Sequence, residues 1–108
     1  MQETTPSDIA GRKPTKGYVY VAFNPAWPGT CKVGVTKVIA KRLTQYNCGD
    51  PYRMYDMRGW RKFDDTYAVE RHIHTQLDEF RMAGEWFALH PDVAFDHLTR
   101  YEETENVE

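Results

Sequence analysis

The chain of 108 residues contains two cysteines, Cys31 and Cys48. That is too few for the disulfide framework of a small secreted domain, so a reducing, cytoplasmic setting is expected. It has no apolar run near the roughly 18 residues that a membrane span requires, and no membrane partner is expected. Residues 1–16 also lack the apolar stretch of a secretory leader. At about 100–200 residues per domain, a single domain is expected over this length. What a core needs is present, since 41% of residues are hydrophobic and 14% aromatic. A disordered chain does not carry that much.

A formal net charge of −2 conceals a division along the chain. Residues 1–62 hold eleven basic and four acidic side chains, whereas residues 63–108 hold three basic and twelve acidic. Such asymmetry is a signature of polyanion binding, or of two solvated surfaces that differ in sign.

The elements follow from spacing. Residues 1–16 are polar, with Pro6, Gly11 and Pro14, and are expected to form a flexible arm. Gly17 opens Tyr18-Val19-Tyr20-Val21-Ala22-Phe23, an aromatic and β-branched run that predicts a strand. The breakers of residues 24–29 predict a loop, and residues 31–35 alternate with period two as a second strand. Thr36 is the expected N-cap of a helix over residues 38–47, and a third strand is expected over residues 52–60. Asp64 or Asp65 is expected to cap a helix ending near Phe80, with Val69, Ile73, Leu77 and Phe80 as its buried stripe. Glu85-Trp86-Phe87 is expected to pack back as a short segment, and Pro91 starts a last helix to about Tyr101. Residues 102–108 carry four glutamates and read as an acidic, disordered tail around a domain of residues 17–101. The order β-β-α-β-α-α predicts an α+β fold with a three-stranded antiparallel sheet flanked by helices.

Strand parity directs Val19, Val21, Cys31 and Val33 toward the core, and Tyr18, Tyr20, Lys32 and Gly34 the other way. Tyr20 and Lys32 then share one face, and Gly34 beside them leaves room for a ligand to approach. Arg42 lies on the first helix in line with Val38 and Tyr46. Glu70 and His74 lie one turn apart on the second helix, as a helix pair or as an oxygen site for a divalent cation. Trp27, Trp60 and Trp86 offer either stacking platforms for bases or core packing; large aromatics in a small domain are more often core, and Trp86 above all is read so. A zinc site from Cys31, Cys48, His72 and His74 is disfavoured, because two histidines two apart on a helix point about 200° away from each other.

The succession Gly17-x-x-Tyr20, Lys32-Val33-Gly34, Arg42 and Glu70 resembles the GIY-YIG nuclease superfamily. Within it, Glu70…His74…Arg81…Glu85-Trp86-Phe87 resembles the phage T5 Orf172-type DNA-binding branch. The resemblance implies hydrolysis of a DNA phosphodiester with one divalent metal, Mg²⁺ or Mn²⁺. Glu70 would bind the metal, Tyr20 would activate water, and Arg42 would stabilise the phosphorane. Lys32 stands where the family usually has a second tyrosine, and would lower the pKa of Tyr20 or mark a domain that binds without cutting. Lys37, Lys41, Arg53, Tyr46 and His74 would contact nucleic acid. The implied partner is DNA, duplex in the expected form, bound by a monomer or homodimer in a bacterial or phage-infected cell. The competing readings are a non-cutting nucleic-acid module on the same fold and a small phage-type protein-interaction factor.

Overall fold

The computed structural model describes residues 14–103. The expected arm and tail therefore lie outside the described residues over 1–13 and 104–108. Within them, the β-branched and aromatic run forms strand β1 (Gly17–Phe23), which pairs antiparallel with β2 (Cys31–Thr36). Helix α1 (Ile39–Cys48) leads to β3 (Asp56–Phe63), which pairs on the other side of β1. Helix α2 (Thr66–Gln76) runs into a 3₁₀ turn (Asp78–Phe80). A two-residue strand β4 (Trp86–Phe87) and helix α3 (Pro91–Arg100) complete the α+β fold.

The sheet has four antiparallel strands in the order β3-β1-β2-β4, one more than expected. The addition is the Trp86-Phe87 segment, which pairs with Cys31 and Lys32 and is too short to show a period. Two other boundaries move for local reasons. Strand β3 starts at Asp56 rather than residue 52, because the Asp50 carboxylate accepts the N–H groups of Tyr52 (3.0 Å) and Met54 (2.9 Å) and holds a turn. Arg53 sits in that turn at φ 52°. Thr36 does not cap α1. Its hydroxyl engages Val38 on the approach, and Val38 takes the N-cap position.

One sheet face carries the apolar core expected from the periodicities. Val19, Val21, Cys31 and Val33 share one core cluster with Val69 and Ile73 of α2, Leu77 just after it, Ala94 and Leu98 of α3, and Phe63 and Phe87. Gly59 exists for this packing, since a β-carbon there would lie 2.4 Å from the Phe95 ring. Side chains fasten the helix ends. Arg61 Nη1 donates to the carbonyls of Leu98 and Tyr101, both at 2.8 Å, satisfying the last turn of α3. The Glu103 carboxylate accepts the N–H groups of Asp64 (3.0 Å) and Asp65 (2.8 Å), placing a negative charge at the start of α2.

Candidate functional site

The opposite sheet face does not behave as a solvated surface. Tyr20 is fully buried there, because α1 lies over it. Two residues one helical turn apart reach its hydroxyl. Arg42 Nη1 donates to Tyr20 Oη at 3.2 Å, and the Tyr46 hydroxyl makes a short hydrogen bond with the same oxygen. The i, i+4 spacing of Arg42 and Tyr46 is what brings both to one point. Buried hydroxyls need partners, and Tyr20 has two.

Gly34 joins this cluster to a second one. It stands opposite Tyr20 in the β1–β2 register. A β-carbon at Gly34 would lie 2.5 Å from Tyr20 Oη and 3.2 Å from Glu85 Oε1. The space expected to admit a ligand is taken by the Tyr20 ring, so the glycine serves an internal close approach. Glu85 in turn meets Glu70 of α2. Burial, then the charge of Glu85 and a hydrogen bond with it, raise the Glu70 carboxyl to about 7. His74 completes this edge. Its Nε2 lies 2.9 Å from the Val33 carbonyl and 3.8 Å from Glu70 Oε2, and its ring packs edge-on to Phe87. The imidazole thereby satisfies a backbone acceptor on β2.

Two electrostatic expectations change. Burial pushes the Tyr20 hydroxyl well above its ordinary value and the bond to Tyr46 adds to this, while Arg42 opposes both incompletely. Lys32, expected to lower Tyr20, instead places Nζ 4.8 Å over the Tyr46 ring. Tyr20 is thus a hydroxyl that keeps its proton.

A family model, the T5orf172 domain, matches residues 17–102. The chain belongs to the T5orf172 domain family. No curated protein and no solved structure matches it. The matched span of this T5orf172 chain contains every strand and helix described above, from Gly17 to Arg100.

Of the residues singled out in the sequence, Tyr20 lies at Gly34 and gathers Arg42, Tyr46 and, over Tyr46, Lys32, while Glu70 and His74 join from the other side through Glu85. Lys37 and Lys41 are exposed near the start of α1, outside this network. Arg53 is tied to the end of α1, donating to the carbonyls of Asn47 (2.7 Å) and Asp50 (2.6 Å). In the sequence Glu85 belongs only to a motif; in the fold it lies against β2, its carbonyl accepting the Val33 N–H at 3.2 Å.

The tryptophans correct their core assignment. Trp27 and Trp60 are 51% and 47% exposed, and Trp86 is half-buried. Trp60 lies beside Tyr20 on β3, and Trp27 and Trp86 meet Tyr55. The aromatics chosen as packing therefore border the site. Among the described residues, no three His, Cys, Asp or Glu side chains are grouped to hold a metal, and no helix is long and apolar enough to cross a membrane.

Proposed function

We infer that this T5orf172 domain binds nucleic acid through a phosphodiester group and hydrolyses it with a divalent cation. The observation supporting this most directly is the convergence at Gly34: Arg42, Tyr20 and Tyr46 on one side, the Glu70–Glu85 pair on the other. A guanidinium matches phosphate oxygens bidentately, and hydroxyls fixed beside it orient the same group. Lys32 adds a second positive charge over Tyr46.

The donor set fits a magnesium-type ion. Such ions take one or two carboxylates and complete their shell with water and phosphate oxygens. Glu70 and Glu85 supply two adjacent carboxylates, and the proton Glu70 keeps to about 7 is the one a cation would displace. Bound there, Mg²⁺ or Mn²⁺ would offset phosphate charge and lower the pKa of water. The chain's own groups do the rest. Arg42 meets the charge that develops on the phosphoryl oxygens. Tyr20, fully buried, positions Arg42 through its hydroxyl rather than accepting a proton from water. Charge placed in advance is usually the largest catalytic contribution.

The second reading, a module that binds without cutting, is favoured by one observation. Lys32 replaces the second motif tyrosine, and it does not lower Tyr20. Supercoiled plasmid separates the two readings. With Mg²⁺ or Mn²⁺, wild type is expected to nick, and Arg42→Ala and Glu70→Gln each to lose about 10²-fold or more in rate. No nicking with either metal, alongside a salt-dependent mobility shift, establishes the binding module instead.

A further inference from the structure

Next to the candidate site is a cavity of about 450 Å³ that the reading above does not use. Its walls include Trp27, Tyr55, Met82, Ala83 and Trp86. That volume lies within the range of pockets that take small organic groups, about 300–1,000 Å³. The Trp27 ring meets Trp86 at 88° with centroids 5.8 Å apart, and meets Tyr55 at 66° and 6.1 Å. Edge contacts of this kind leave ring faces that the rings do not cover for one another. Trp27 and Met82 are 51% and 57% exposed, so the cavity opens to solvent through large apolar groups.

An exposed tryptophan on a loop is usually mobile, yet this one is held. Its N–H donates to the Asn24 carbonyl (2.9 Å), and its carbonyl accepts from the Thr30 hydroxyl (2.7 Å). Asn24 is buried and anchors the turn, accepting from Ala26 N–H (2.9 Å) and donating to Asp50 (3.0 Å). The opposite wall is closed by Met82 N–H to the Trp86 carbonyl (2.9 Å) and Trp86 N–H to the Ala83 carbonyl (3.0 Å). A cavity organised in advance loses less entropy when it is filled.

Charge and continuity identify the occupant. The Tyr55 ring lies 5.3 Å from Tyr46, whose hydroxyl bonds Tyr20, so cavity and phosphate cluster share a wall. Lys32 stands between them, opposite Trp86 in the β2–β4 register and over Tyr46. Aromatic walls beside a cation and an arginine–tyrosine cluster match a ring joined to a phosphate. We propose that this cavity is a stacking subsite for one unpaired nucleobase of the strand whose phosphate lies at Arg42. The inference rests on the nucleic-acid reading and refines its substrate to strands with unstacked bases. A base inside a duplex must first leave the stack, which costs binding free energy.

The test uses the full chain in EDTA at low salt, and anisotropy of three fluorescein-labelled probes of equal length: oligothymidylate, an abasic oligomer and a duplex. Wild type is expected to bind oligothymidylate most tightly, and oligothymidylate, not the abasic strand, to quench tryptophan fluorescence. Trp27→Leu keeps apolar bulk and removes the stacking plane. It should weaken oligothymidylate about tenfold and change the other two probes by less than about twofold, while Trp27→Phe recovers most of the loss. Equal weakening of all three probes, or an unchanged oligothymidylate affinity, overturns the subsite and leaves nucleic-acid binding standing. Binding to none of the three overturns both. The quenching contrast decides independently of whether Trp27→Leu folds.

Discussion

Alternate residues of the same two strands build two unlike surfaces. Val19, Val21, Cys31 and Val33 join residues of α2 and α3 in the apolar core cluster. Tyr20 and Gly34, interleaved with them, lie against α1, Glu85 and a chain of polar aromatics. The first face is held by burial, which has no direction and tolerates repacking. The second buries a hydroxyl and works only because its partners are in place. Stability and chemistry are therefore assigned to opposite sides of one thin sheet, and substitutions should separate them.

The largest expected effect is on the apolar face. Phe87 is fully buried, with His74 packed on its ring and Arg81 5.1 Å above it. Phe87→Ala should cost about 3–5 kcal/mol of unfolding free energy, measured by urea denaturation. Arg42→Ala, on a half-buried side chain that is not part of the core, should cost below about 1 kcal/mol while removing nicking. Equal destabilisation by the two variants would break the contrast between the faces.

A smaller effect is expected where the faces meet. In Gly34→Ala the new carbon would lie 2.5 Å from Tyr20 Oη and 2.8 Å from its Cζ. Arg42 and Tyr46 hold that ring, so it cannot swing away freely. The variant should lose about 1–3 kcal/mol and weaken DNA binding with it. Loss of stability with unchanged binding would show that the Tyr20 cluster is not the phosphate site.

The division of labour also explains what could be read in advance. The apolar face was legible because period two in β1 and β2 and the 4, 4 spacing of Val69, Ile73 and Leu77 report burial directly, although the helix stops at Gln76 and Phe80, expected in the same stripe, is only half-buried in the 3₁₀ turn. The second face was legible as a set of residues, through motif spacing, but not as an environment. Parity says only that Tyr20 points away from the core, not what covers it there. Its burial depends on α1, which contains no fully buried residue of its own. Glu85 acts through a two-residue strand, and no local pattern announces one. Trp86 followed the rule that large aromatics fill cores, but Lys32 opposite it places it at the rim of the other face.

The smallest and most selective effect is in pH. Glu70 ionises near 4.5 in an unfolded chain, but burial and Glu85 raise it to about 7 in the fold. Between those values the native state keeps a proton that the unfolded state has lost. Its contribution to stability is therefore full below about 4.5 and lost as pH rises through about 7. Glu85→Gln removes the neighbouring charge and leaves burial, so the Glu70 value falls and the window narrows. Melting temperature followed across that window should decline less steeply in Glu85→Gln than in wild type. If Glu85→Gln keeps the wild-type slope, the two carboxylates are not coupled, and the second face loses the group assigned to hold the cation.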